Sequence, residues 1–173
     1  MPRIITTEPL TATAFAPFGD VLQTEGDFRL INAGLCKRYH DLARLDFGDA
    51  GVGTSAESGA EAGAGAGAGI SIFSAAPRSL PYTLDLIERH PQGSQAFLPL
   101  HQQPFLVIVA ASPDSTPRAF LTNGAQGVNL LRGTWHGVLT PLHAPGLFAV
   151  VDRIGPGANL EEYAYPCAWE VHD

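Results

Sequence analysis

Short apolar or alternating runs recur along this chain at residues 20–23, 28–31, 70–73, 82–87, 95–100, 105–111, 118–121, 147–152 and 163–165, with Gly, Pro, Asn and Asp between them. Runs of this length fit strands, and no long segment with a 3.6-residue apolar period separates them. The pattern predicts an all-β fold, an antiparallel sandwich or barrel rather than an α/β sheet. One short N-terminal helix is predicted over residues 11–15, opened by a Thr11 cap and closed before Pro17 and Gly19.

From about residue 48 to 69 the pattern disappears. The sequence there is Gly, Ala, Ser and a little acid, with almost nothing to bury, and it is expected to be a flexible surface insertion between two strands. Loop closure costs grow slowly with length, so the fold tolerates such a segment. The alternation Gly65-Ala66-Gly67-Ala68-Gly69 lacks the strand–turn–helix setting of a phosphate-binding loop. With 173 residues, the chain is expected to form one domain, and a 45% hydrophobic content is enough for its core.

Charge narrows the partners. The formal net charge is −7 and the ten Lys and Arg are scattered, which argues against nucleic acid and anionic membranes as ligands. Any anionic substrate therefore needs a local Arg or backbone donors. The N-terminus shows no continuous apolar stretch, and the run at 105–111 is too short to cross a bilayer, so a cytoplasmic location is expected. Cys36 and Cys167 are far apart with no C-x-x-C spacing, and are expected to be buried free thiols.

Two polar segments carry the candidate chemistry. The first places Glu88, Arg89, His90 and Gln95 in a strand–turn–strand element, with the turn at residues 91–94. The period of two puts Glu88 and His90 on one face and Arg89 on the other, while Gln95 and Phe97 project together from the returning strand. Such a wall aims Glu88, His90 and Gln95 into one cavity, although a Glu-Arg pair also reads as a solvated edge. The second segment contains Asn129, Arg132, Gly133, Trp135 and His136, a composition suited to a pocket rim.

Other polar positions read more plainly. Arg38-Tyr39-His40-Asp41 is either a substrate clamp or a strand edge, and Asn123-Gly124 marks a turn. Asp152-Arg153 supplies an inward carboxylate or, more simply, a surface ion pair. His101, His143 and His172 are expected at the surface.

These motifs, taken together and in order, resemble the ureidoglycolate lyases of allantoin degradation. The resemblance runs nearly end to end: Phe18-Gly19-Asp20, Ile31-Asn32-Ala33-Gly34, Arg38-Tyr39-His40-Asp41, Ile70-Ser71-Ile72-Phe73, Glu88-Arg89-His90-Pro91, Gly93-Ser94-Gln95-Ala96-Phe97, Gln126-Gly127-Val128-Asn129, Arg132-Gly133-Thr134-Trp135-His136 and Val151-Asp152-Arg153. It implies a cupin-like double-stranded β-helix barrel, a homodimer, and cleavage of ureidoglycolate to glyoxylate and urea. It also implies a divalent metal, with nickel the one associated with the family, for which His90 and His136 are the candidate ligands. The chain departs from the family pattern at Phe73-Ser74-Ala75, where an Arg is expected in place of Ser74, at Gly137-Val138, where a second His and a Pro often follow, and in the Gly/Ala insertion.

Cleavage of such a substrate needs a base for its hydroxyl proton and a donor to the departing urea. His136 or His90 is the expected base, a role typically contributing about 10²–10⁴-fold. Arg132, with Arg89, would hold the carboxylate. Glu88 would orient a histidine, and Gln95 or Asn129 would read the ureido amide. Trp135, Arg38 and His40 complete the expected substrate contacts. Two other functions fit the same pattern: an amidohydrolase releasing ammonia from the same substrate, and a non-catalytic small-molecule-binding β-barrel acting as a sensor.

Overall fold

The structure is a computed structural model and describes residues 3–47 and 66–173. In chain order its elements are β1 (Arg3–Pro9), α1 (Ala12–Phe15), β2 (Gly19–Leu22), β3 (Arg29–Ile31), β4 (Cys36–Arg38), β5 (Gly67–Ser74), β6 (Tyr82–Arg89), β7 (Gln95–Pro99), β8 (Phe105–Ala110), β9 (Arg118–Leu121), β10 (Gly127–Leu130), β11 (Trp135–His136), β12 (Thr140–Pro141), β13 (Leu147–Ile154) and β14 (Glu161–His172). No helix among the described residues is long and apolar enough to cross a membrane.

The strands β11, β6, β14, β1, β9 and β8 hydrogen-bond in that order, and β11 returns to β8, so the six close into a barrel with β12 on its edge. A second sheet, β2-β10-β7-β13-β5, is antiparallel throughout. This mainly β arrangement with one short helix is the fold class the strand pattern predicts, and it is consistent with the cupin-like barrel that the family resemblance implies. The pattern does not foresee that β1 runs parallel to both of its neighbours, β14 and β9.

β8 explains how the two layers are joined. Its sequence Phe105-Leu106-Val107-Ile108-Val109-Ala110 has no polar position because both faces are covered. Leu106, Ile108 and Ala110 point into the barrel with Leu84, Ile87 and Trp169. Phe105, Val107 and Val109 face the second sheet and pack with Phe97, Val128 and Phe148. Helix α1 closes one end of this second core: Thr11 accepts from Ala14 N at 3.2 Å, and the fully buried Phe15 meets Phe120 edge-on at 5.4 Å.

Three expectations change here. Residues 67–69 belong to β5, pairing with Asp152–Ile154, because glycines there let neighbouring chains approach closely: a Cβ on Gly69 would lie 2.4 Å from Ile154 Cγ2. The rest of the predicted insertion, residues 48–65, lies outside the described residues. Cys36 and Cys167 are both exposed rather than buried, the first in the β3–β4 hairpin and the second in the irregularity where β14 shifts register against β6. His101 is half-buried, its Nδ1 donating to the Leu147 carbonyl at 3.0 Å and its ring edge-on to Phe148, and His172 is also half-buried, whereas His143 is exposed.

Candidate active site

β6 carries Ile87 into the barrel core, so the next residue, Glu88, alternates to the opposite face, and His90 follows it. β11 does the same on a shorter scale. Trp135 packs on the barrel core and His136 turns the other way, into a narrow apolar cavity that it shares with Phe97, Val107, Val128, Leu130 and Leu139. The ladder places His136 opposite Glu88. One ligand atom from each of Glu88, His90 and His136 therefore falls within 4.8 Å of the other two.

Backbone carbonyls set both rings. Nδ1 of His90 lies 2.7 Å from the Asn159 carbonyl and Nδ1 of His136 lies 3.0 Å from the Gly137 carbonyl. A carbonyl only accepts, so each Nδ1 carries the proton and each Nε2 presents a lone pair. Both Nε2 atoms are buried without a hydrogen-bond partner, and the rings are 5.3 Å apart. Two converging buried lone pairs next to a carboxylate repel one another unless a cation or proton donor lies between them. Burial pushes His136 down to about 4, against the Gly137 carbonyl bond and with help from His90, so the ring is neutral near pH 7. Burial raises the Glu88 carboxyl above its ordinary value, with His90 opposing and Glu162 adding to the shift.

The remaining predicted residues are distributed unevenly. Gln95 is buried on the same face as Phe97 and pairs in register with Leu130, both of which line the cavity of His136. Arg132 is exposed, its Nε donating to the Pro91 carbonyl at 2.7 Å, one residue from His90, and its Nη1 lying 3.9 Å from Asp46 Oδ1. Arg89 is turned away: Nε donates to Glu161 at 2.7 Å and the guanidinium lies 4.8 Å from the centre of the Trp135 ring. Arg89 and Trp135 thus stack on each other on the barrel side, because both alternate away from Glu88, His90 and His136.

Asn129 sits between Val128 and Leu130, which face the core, and so projects from the opposite face of the second sheet, where its Nδ2 donates to Asp20 at 3.0 Å. Arg38 and His40 bond to each other at 3.0 Å on the exposed β3–β4 hairpin, away from the core clusters. The Nδ1 atoms of His90 and His136 are held by the carbonyls of Asn159 and Gly137. Ser74, in place of the expected Arg, ends β5 in an exposed position.

Sequence reasoning gives Asn159 no role, since it acts through a backbone carbonyl that any residue could supply. It leaves Asp152 as an inward carboxylate or, more simply, half of an ion pair with Arg153, and the structure takes the first. Asp152 accepts from Gln95 Nε2 at 3.3 Å, and Arg153 donates to the Pro156 carbonyl. A wider surface cleft among the described residues lies elsewhere, beside Thr7, Gln23 and Gln126. Several of its polar groups are bonded to one another, Gln126 to Leu10 and Gln23, and Thr7 to Asp173, and none is a buried atom lacking a partner.

Comparison with known proteins covers nearly the whole chain. The family model described as ureidoglycolate lyase matches residues 2–172. A ureidoglycolate lyase of Rhodobacter capsulatus is 60% identical over 163 residues, 92% of each chain. Those of Chelativorans sp. and Mesorhizobium japonicum are 48% and 46% identical, over 98% and 97% of this chain and 97% of their own length.

Proposed function

The chain belongs to the ureidoglycolate lyase family, and on that premise we propose that Glu88, His90 and His136 form the centre of a carbon–nitrogen lyase that splits ureidoglycolate into glyoxylate and urea. The observation that carries this reading is the convergence of the two unpartnered Nε2 atoms and the Glu88 carboxylate beside one cavity.

Ureidoglycolate has a single carbon bearing a hydroxyl, a carboxylate and the urea nitrogen. Its cleavage removes the hydroxyl proton, converts that C–O bond to a carbonyl, breaks the C–N bond and returns a proton to nitrogen. No covalent nucleophile is needed. Two imidazoles and a carboxylate are a mixed nitrogen and oxygen donor set of the kind that nickel and other first-row divalent metals take, and the buried lone pairs fit such an ion. His90 and His136 would hold it through Nε2, with one Glu88 oxygen as the third donor. When bound, a divalent cation polarises substrate oxygens and stabilises the charge that develops on them.

The chain's own groups divide the remaining work. The Asn159 and Gly137 carbonyls hold the two rings in the tautomer that keeps Nε2 free. His136, with its basicity lowered by burial, is a weak proton acceptor and serves as a ligand rather than a base. Glu88 is the better acceptor, since burial raises its basicity, and its second oxygen takes the hydroxyl proton and passes it to the departing nitrogen. Arg132, pinned to Pro91, meets the substrate carboxylate. Phe97, Val107 and Leu139 exclude water from the cavity wall.

The chain acts as a homodimer in this reading. The outer face of the second sheet supports it: Ile72, Ala149 and Leu98 form one row across β5, β13 and β7, and Ile70, Ile72 and Leu98 are exposed there. The decisive experiment for function is incubation of the purified protein with ureidoglycolate, corrected for spontaneous decay. Glyoxylate and urea in equal amounts are expected; ammonia and carbon dioxide would indicate an amidohydrolase, and binding without products a sensor.

A further inference from the structure

Gln95 is 6% exposed, yet only one end of its amide is satisfied. Nε2 donates to Asp152 Oδ2 at 3.3 Å, while Oε1 is buried and has no partner. The orientation is chemically forced. A carboxylate offers only acceptors, so the amide must turn its NH₂ toward Asp152 and its carbonyl away.

The strands set the face on which that carbonyl lies. Val150 packs in the core between the layers, and Asp152, two residues on, shares its face. Gln95 and Phe97 share the same face of the neighbouring strand, and Phe97 and Leu130 line the cavity that ends at His136. A buried acceptor left unpaired is costly, and a ligand that brings a donor to it relieves that cost.

We infer that Asp152 is a positioning residue that fixes the Gln95 carbonyl as the acceptor for the ureido N–H groups, so that the Asp152–Gln95 pair selects the urea end of the substrate. This inference rests on the lyase reading and adds to it a residue and a direction of recognition. An N–H donor is what distinguishes the ureido end from the carboxylate end, which offers only acceptors. A fixed carbonyl attracts the first and repels the second, so the pair also sets which way round the substrate enters.

The test measures product inhibition of ureidoglycolate cleavage by urea and by glyoxylate separately. Asp152→Leu is expected to raise the inhibition constant for urea by about tenfold and to leave that for glyoxylate unchanged within error. Gln95→Leu should do the same, and the double variant should be no worse than Gln95→Leu alone. Asp152→Asn, which retains an oxygen able to accept from Nε2, should restore most of the loss. Equal metal content and unchanged thermal unfolding across the set would exclude a general structural effect. The inference is overturned if Asp152→Leu leaves urea inhibition unchanged, shifts both products together, adds to Gln95→Leu, or fails to fold while Asp152→Asn shows the same loss for both products. Wild-type protein that releases no urea overturns the lyase reading itself, and this inference with it.

Discussion

Glu88 and His136 stand directly opposite each other in the ladder between β6 and β11, although 48 positions separate them in the chain. Both face away from the barrel core, since their neighbours Ile87 and Trp135 fill it. This pairing, with His90 just past the end of β6, creates the three-ligand cluster.

Removal of metal should therefore abolish turnover without unfolding the chain. Elemental analysis of the active protein is expected to find one divalent ion per chain. His90→Ala and His136→Ala should each lower metal affinity and activity by on the order of 100-fold or more. Full turnover in metal-stripped protein would restore the competing assignment, in which a histidine Nε2 is the base.

Glu88→Gln keeps the size of the side chain and removes its charge and basicity. Turnover is expected to fall by about 10²–10⁴-fold, with a smaller effect on KM. Activity within a few-fold of wild type would exclude the carboxylate from proton transfer.

The buried His136 makes the metal-free protein sensitive to acid. Its folded value, about 4, lies below the ordinary 6.5, so between these limits the unfolded chain binds the extra proton and stability falls as pH drops. The penalty starts near pH 6.5, is complete below about pH 4, and would reach about 3 kcal/mol for an isolated group. Glu88 works in the opposite sense: its raised value makes the folded state bind a proton more readily, and that advantage disappears as pH rises through the folded value. Urea melts of metal-free wild type and His136→Gln from pH 7 to 4.5 should show the wild-type slope flattened in the variant.

Arg132 and Arg89 should separate cleanly despite their common charge. Arg132→Gln is expected to raise KM for ureidoglycolate roughly tenfold or more. Arg89→Gln loses a partly exposed ion pair and a stack on Trp135, so it should leave KM unchanged and cost about 1 kcal/mol of stability. Equal KM effects would mean that the Arg89 side chain turns into the site.

The apolar outer face gives the oligomer prediction. Ile72→Lys, at an exposed position on β5, should reduce the mass measured by light scattering from two chains to one if this face joins the copies. A dimer that survives the change would place its interface elsewhere.

Much of this was readable from residue order because strands impose a period of two. That period separates Glu88 and His90 from Arg89 and pairs Gln95 with Phe97, and the apolar or alternating runs identify β2, β3, β5, β6, β7, β8, β9, β13 and part of β14. A Thr cap followed by Pro17 similarly marks α1. The strands it left unmarked are the short or polar ones, β4, β10, β11 and β12, and β1, whose alternating burial is shallow.

Tertiary structure decided what local pattern has no means to encode: which strands become neighbours and which face of each meets the core. It moved Asn129 to Asp20 on the outer face, turned Trp135 and Arg89 onto each other, left Arg38 and His40 on an exposed hairpin, and gave Asp152 to Gln95 rather than Arg153. The sequence by itself determined the donors available and their alternation along each strand. Only the closing of β11 onto β6, a long-range pairing, brought Glu88, His90 and His136 within reach of one ion, because lone pairs combine in a site through their distance in space and not along the chain.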